Sequence, residues 1–218
     1  MAAFGILAAL NAREKTGAGQ FVDVSMTDGL VAWLCYHAAD YLFGGVEPRG
    51  GVQHFIGGAP CYNVYRCSDD RHIALGIIEE HFWSNFCDLI DRADYKSQQW
   101  PVGEAAERQF AHLRQVFAGA PSTYWVETLA ARDIPVSPVN TMEEAFKDPQ
   151  LAYREMLQYI QHPVEGRIPQ LGFPIKFSGT PGSFRTPPPT LGQHTKEVLA
   201  ALNYDDEAIA ALAKAGVI

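Results

Sequence analysis

The sequence predicts a mixed α/β protein, in which the end of an α/β layer precedes a small α+β module. Three observations support this fold class. An apolar helix, a short strand pattern and a second helix follow one another within residues 2–45. Two strand patterns joined by a polar turn come next, within residues 61–78. Helical periodicity then extends to residue 156, and a proline-rich stretch follows it.

The first predicted element is a helix over residues 2–15, rich in alanine and leucine. Arg13 and Lys15 suit the negative pole of the helix dipole, and Gly17 or Gly19 ends the helix. Its start carries no Ser, Thr, Asp or Asn cap, and apolar residues surround much of the helix. We therefore expect this helix to belong to something larger.

The next two elements are a strand and a helix. The sequence "GQFVDVSM" favours a strand because it carries aromatic and β-branched residues. The following "TDGLVAWLCYHAADYLFGG" predicts a helix that is capped by Thr27 or Asp28 and closed by the glycine pair at 44–45. A single strand cannot form a sheet, so its partner strands must come from other sequence or another chain. We assign residues 1–45 to the end of a larger domain.

A linker at residues 46–54 leads to the α+β module, residues 55–160. The sequences "CYNVYRCS" and "HIALGII" predict a hairpin around the turn at residues 68–71. Ser122 or Thr123 is the expected cap of a later helix, and "IPVSPVN" is expected to be extended. The predicted helices of the module have the sequences "EEHFWSNFCDLID", "EAAERQFAHLRQVFAG", "STYWVETLAARD" and "TMEEAFKDPQLAYREM".

The last part of the chain divides into a connector and two helices. Residues 161–192 are dense in proline, which predicts an extended connector without a core of its own. Residues 193–218 predict two short helices whose apolar faces need a partner.

Composition excludes several classes of protein. With 218 residues, 47% of them hydrophobic, the chain can bury a globular core. Its net charge is -8 and its 17 basic residues are scattered, so neither a nucleic acid nor an anionic membrane is an expected partner. No apolar run reaches the roughly 18 residues of a membrane span. The four cysteines lack metal-type spacing and are expected to be reduced, in a cytoplasmic protein.

Common catalytic and metal motifs are missing from the sequence. It contains no GxSxG, HExxH, P-loop or EF-hand pattern. The spacing of His54, Cys61 and His81 fits no known metal site, so we expect no metal.

Glu79 and Glu80 leave two interpretations open. Acidic residues at the start of a helix interact favourably with its dipole, which needs no catalytic role. Glu79 also follows an apolar strand directly, where a buried carboxylate could orient an imidazole in a cleft. Nearby, Gly57 and Gly58 carry no side chains, so a ligand or another backbone segment could approach closely.

Several separated motifs, in order, resemble the class III CoA-transferase family, also called CaiB/BaiF, which includes the α-methylacyl-CoA racemases. They are "GILAALNAREKTGAGQFVDVSMTDG", "DPQLAYREM" and "LGQHTKEVL", and the resemblance covers nearly the whole chain. Within the family, "GGAPCYNVYRCSDDRHIALGIIEEHFW" is more similar to the racemase branch than to the formyl or carnitine transferases.

The resemblance implies a homodimer of interlocked rings, with a large Rossmann-like domain and a small α+β domain in each subunit. Residues 1–45 would end the large domain, residues 55–160 would form the small one, and residues 193–218 would return to the large one. Acyl-CoA would be the substrate, with no separate cofactor.

In the racemase branch, a histidine and an aspartate exchange the α-proton of a 2-methylacyl-CoA thioester, a reaction of fatty acid metabolism. The resemblance implies that Glu79 supports that histidine and that Tyr62 and Ile78 line the acyl side of the pocket. The expected catalytic aspartate and histidine lie upstream of Met1.

Two alternatives remain at the level of sequence. In the transferase branch an aspartate forms a mixed anhydride and exchanges CoA, and Gly57 and Gly58 correspond to the glycine loop of those enzymes. The other alternative is a truncated, non-catalytic chain that binds acyl-CoA weakly or associates with a separate N-terminal half.

Overall fold

The computed structural model describes residues 1–51 and 53–218, apart from the side chain of His54. It confirms the mixed α/β class and divides into two compact units, Met1–Val139 and Asn140–Ile218. This division falls inside the predicted module of residues 55–160, because the last strand of its sheet ends at Pro138. The assignment of segments to a large and a small domain stays a prediction.

Three helices begin the first unit: α1 (Ala2–Thr16), α2 (Met26–Trp33) and α3 (Cys35–Gly44). The glycine that ends α1 is Gly17, in the left-handed conformation with φ 72°. One continuous helix was expected where α2 and α3 stand, but the chain breaks at Leu34. The expected caps Thr27 and Asp28 are wrong, because the Ser25 side chain accepts the Asp28 N–H at 3.2 Å.

The strand expected around Phe21, Val22 and Val24 does not form in the described chain. These residues are exposed, and a strand needs a hydrogen-bonded neighbour that nothing described here supplies. Helices α1, α2 and α3 likewise bury none of their side chains. The whole segment therefore presents apolar surface without a covering layer.

The sheet of the first unit is antiparallel and contains β1 (Val64–Arg66), β2 (His72–Leu75) and β3 (Val136–Pro138), in that order. The predicted hairpin is confirmed, with Asp70 at φ 61° in its turn. The extended "IPVSPVN" segment supplies the third strand. Its partner is β2, so the sheet joins segments that lie about sixty residues apart in the chain.

One face of this sheet packs on α4 (Glu80–Leu89), α5 (Glu104–Ala118) and α6 (Ser122–Ala130). The core between them is aromatic, and its buried indole groups are hydrogen-bonded. Trp83 Nε1 donates to the Tyr95 carbonyl at 2.8 Å, and Trp125 Nε1 donates to the Phe117 carbonyl at 3.0 Å. The predicted helices of this region are thus confirmed as elements.

The start of helix α6 is capped by a residue that is distant in the sequence. Ser122 or Thr123 was expected as its cap, but Pro121 occupies that position and Ser122 lies inside the helix. The Asp69 carboxylate, in the hairpin turn, accepts the Ser122 N–H at 3.0 Å and its hydroxyl at 2.8 Å. A residue 53 positions away therefore satisfies this helix start.

The second unit contains α7 (Met142–Lys147), α8 (Pro149–Tyr153), β4 (Leu157–His162), β5 (Gly166–Leu171), α9 (Thr195–Ala201) and α10 (Asp206–Lys214). One helix was expected over α7 and α8, but Asp148 ends the first and caps the second. The expectation of an extended connector from residue 161 is wrong as far as residue 171, because β4 and β5 pair as a hairpin. Pro169 is tolerated there because a two-stranded sheet has only edge strands.

No helix of the described residues is both long enough and apolar enough to span a membrane. The predicted linker at residues 46–54 contains Val52, which lies outside the described part.

The Asp69 carboxylate predicts an acid-sensitive stability. Desolvation opposes its ionisation, but the hydrogen bonds from Ser122 and from the backbone N–H groups of Arg71 and Asp69 together outweigh this and hold the pKa of Asp69 below its ordinary value. Its stabilisation is complete above that ordinary value and is lost as the pH falls through the lowered pKa. We expect Asp69→Asn to lower the Tm at neutral pH, with the difference from wild type shrinking as the pH falls through the lowered pKa of Asp69.

Asp70→Asn is the matched control, since Asp70 makes an exposed ion pair with Arg66 and asparagine tolerates its positive φ. Equal Tm values for the two variants, or a difference that persists in acid, would contradict the capping role.

Candidate functional site

A groove of about 640 Å³ lies along the face of the first sheet that the helices leave open. Val64, Ala74 and Ser137 stand opposite one another across the three strands and line it. These three side chains are apolar or small, so they leave space for the groove above the sheet. Its other lining residues are Phe55, Ile56, Gly57, Tyr62, Asn63, Leu75, Gly76, Pro135 and Val136.

A tight glycine turn borders the groove. Gly57 follows a short 3₁₀ helix, His54–Ile56, and has a φ of 106°. A Cβ at Gly57 would lie 3.3 Å from the Cα of Gly51, so another backbone segment does approach closely here. The Asn63 side chain fixes the turn by donating from Nδ2 to the Gly57 carbonyl at 2.9 Å.

Gly58 lies on the other side of this turn and lines a second cavity, of about 440 Å³. Its N–H donates to the Gln53 carbonyl at 2.9 Å. Gly57 and Asn63 line both spaces, so the groove and the second cavity adjoin at this turn.

Of the two residues predicted to line an acyl pocket, Tyr62 lines the groove. Its ring centroid is 5.3 Å from that of Phe55, which also contacts Tyr36 of α3 at 5.5 Å. Ile78 is not among the lining residues and is 42% exposed. The Gln99 amide holds this segment by donating to the Ile78 carbonyl at 2.7 Å.

Glu79 occupies the N-cap position of α4, with an extended backbone at φ -76° and ψ 140°. Its side chain is exposed and does not cap the helix, whereas Glu80 lies in the first turn. The carboxylate is therefore neither buried nor part of the groove lining. Its predicted support of a histidine stays a prediction.

The sequence did not nominate the β3 side of the groove, namely Pro135, Val136 and Ser137. Their extended pattern was visible, but nothing in it specified pairing with β2. Asn63 was also missed, although an asparagine between a glycine turn and a strand is a typical site for side-chain bonds to the backbone.

The cysteines of the module do not provide a nucleophile. Burial raises the pKa of the Cys61 thiol to about 12 and that of Cys87 to about 12. Both are therefore protonated at neutral pH, and only a thiolate reacts readily.

Within the described part of the chain, no group of three His, Cys, Asp or Glu side chains could hold a metal ion. The set of His54, Cys61 and His81, whose spacing fits no known metal site, includes His54, whose side chain lies outside the described part.

Residues 1–195 match the sequence model of CoA-transferase family III. The chain belongs to this family. Its predicted family membership is thereby confirmed, whereas the predicted racemase branch is not shown.

Two relatives illustrate the match. A human succinyl-CoA:glutarate CoA-transferase is 32% identical over 221 residues, which cover 98% of this chain and 50% of the relative. A formyl-CoA:oxalate CoA-transferase of Escherichia coli O157:H7 is 31% identical over 237 residues, covering 95% of this chain and 56% of the relative. The chain thus spans about half the length of these family III relatives.

A solved structure shares the fold. The crystal structure of a CAIB/BAIF family protein from Brucella suis has a TM-score of 0.67 and 24% sequence identity. The match covers 91% of this chain and 52% of the other.

We expect Gly57→Ala to lower the free energy of unfolding of the first unit by about 1–2 kcal/mol, because alanine is strained at positive φ. All four tryptophans lie in this unit, so their fluorescence during urea unfolding measures it selectively.

Gly50→Ala is the control, since a Cβ there meets nothing within 4 Å and the backbone φ is not positive. Indistinguishable midpoints for the two variants would contradict the requirement for glycine at position 57.

Proposed function

We propose that this chain is the C-terminal part of an enzyme that moves CoA from an acyl-CoA thioester to a free carboxylic acid. The observation that carries the proposal is the similarity, along 98% of the chain, to an enzyme named for CoA transfer between succinyl and glutaryl groups. The E. coli relative is also named as a CoA-transferase, with oxalate as its acid. Both names have a dicarboxylic acid, glutarate or oxalate, as the acid that receives CoA, which supports dicarboxylic acids as the acceptor class.

The groove supports this proposal chemically. Its walls are mainly apolar, as the methylene chain of an acyl group requires, and Tyr62 is one of the lining residues. At Gly57 the space that a side chain would fill is occupied by the backbone of Gly51, whose Cα would lie 3.3 Å from a Cβ there. The glycine thus lets two backbone segments pack together at the border of the groove.

The family resemblance implies that the reacting aspartate lies outside this chain. Its carboxylate attacks the thioester carbonyl, and the CoA thiolate leaves as a mixed anhydride forms. The thiolate then attacks the aspartyl carbonyl, which releases the first acid and forms an aspartyl-CoA thioester. The second acid attacks the aspartyl-CoA carbonyl, which releases the CoA thiolate and forms a second mixed anhydride. The thiolate then attacks the acyl carbonyl of that anhydride, which frees the aspartate and releases the new acyl-CoA. One thioester and one carboxylate enter, and one of each leaves.

Racemisation is the less supported of the two activities. It was inferred from similarity around residues 57–83, but the relatives described above are named as CoA-transferases. The carboxylate that it would employ, Glu79, does not line the groove.

The non-catalytic alternative rests on a separate observation. Helices α1, α2 and α3 bury none of their side chains, and such apolar surface favours association with another half or with a second copy. The homodimer that the family resemblance implies is a proposal for the full enzyme.

The deciding experiment uses the full natural polypeptide that carries this chain. It is incubated with succinyl-CoA and glutarate, and glutaryl-CoA is followed by mass spectrometry. In parallel, a 2-methylacyl-CoA is incubated in deuterated water. We expect glutaryl-CoA to form and no deuterium to enter the α-carbon.

Deuterium uptake without CoA transfer would replace the proposal with racemisation, and neither activity would favour the non-catalytic alternative. The 218-residue chain by itself serves as the control that should be inactive.

The variant Glu79→Gln distinguishes CoA transfer from racemisation. Because the Glu79 side chain is exposed and outside the groove, we expect CoA transfer to stay within about twofold of wild type. Glu80→Gln is the matched control, since it removes the neighbouring charge from the same helix start. A loss of about 10–100-fold confined to Glu79→Gln would instead support its predicted role behind a catalytic base.

A further inference from the structure

The second cavity adjoins the groove at the glycine turn, and the two have different chemistry. One face of α5 forms its wall, with Ala106, Glu107, Phe110 and Arg114 at helical spacing. The opposite wall contains Gly51, Gly57 and Gly58, which contribute backbone only. The groove is mainly apolar, whereas the second cavity carries charged side chains.

Arg114 supplies the positive charge of this cavity. Its guanidinium carbon lies 5.4 Å from the centroid of the Phe110 ring, which is a cation–π contact. Across residues 1–51 and 53–218, no carboxylate is recorded within 4 Å of Arg114, whereas Arg108 on the same helix pairs with Glu104. The planar donors of an arginine match the two oxygens of a carboxylate.

Glu107 also lines this cavity, and its negative charge disfavours the binding of an anion there. It precedes Arg114 by seven residues, a separation of about 10.5 Å along a helix axis. Charges at such a distance are largely screened at physiological salt, where the Debye length is about 8 Å. The end of the cavity near Arg114 therefore favours an anion.

We propose that Arg114 binds the distal carboxylate of a dicarboxylic acyl group whose carbon chain lies in the groove. The chain would pass from one space to the other at Gly57 and Asn63, which line both. This inference rests on the proposed CoA transfer and names the residue that selects its acids. A monocarboxylic acid of equal length fills the groove but has no group for Arg114 to bind.

The test compares glutarate with pentanoate, which has the same number of carbons and lacks the distal carboxylate. In the full polypeptide we expect Arg114→Gln to raise the KM for glutarate about tenfold, the effect of losing one charge-assisted hydrogen bond. The KM for pentanoate should not change. Arg114→Lys should lie between wild type and Arg114→Gln, because it retains the charge without the planar donors.

Arg108→Gln is the matched control, because it removes the same charge from the same helix at a residue that lines neither space. It should leave both KM values unchanged. An equal change for glutarate and pentanoate in Arg114→Gln would overturn the proposal. So would a raised KM for every acyl-CoA donor, since Arg114 would then bind a phosphate of CoA.

Failure of the proposed function is a different result, in which unmodified protein transfers CoA to neither acid. Binding of glutaryl-CoA and pentanoyl-CoA to the same variants, measured by calorimetry, then still decides the role of Arg114. Equal loss of affinity for the two thioesters would refute it.

Discussion

The alternation of side chains along β2 is the constraint on which the module depends. The Ile73 side chain is buried against the helices, whereas that of the next residue, Ala74, faces the groove. Pairing with β1 on one side and β3 on the other holds this register. A slip of one residue would bury Ala74 and put Ile73 in the groove, so the same hydrogen bonds fix both core and site.

Helix α5 connects the core to the second cavity by its own periodicity. Leu113 and Phe117 are fully buried, and the Gln109 amide donates to the Gln98 carbonyl at 2.8 Å. Arg114 follows Leu113 directly and therefore points from a different face of the helix. The packing of α5 in the core thus determines the position of Arg114 relative to the glycine turn.

The chain carries the architecture of half a family III protein and leaves its first three helices uncovered. A helix with apolar residues on all sides is stable in water only when other elements cover it. The groove and the second cavity, in contrast, are lined by residues of the first unit that lie around the glycine turn.

Local sequence determined most elements of this protein, because caps, turns and helical periodicity involve residues close in the chain. The hairpin turn at residues 68–71 and an end of α1 at Gly17 or Gly19 could be identified in this way, and the structure selects Gly17. Tertiary structure decided the rest. Whether an extended segment becomes a strand depends on a distant partner: residues 136–138 pair with β2, whereas residues 21–24 find no partner strand among the residues that the structure describes. Arg114 and Gly57 likewise lie far apart in the sequence, and they line one cavity only because α5 packs beside the glycine turn.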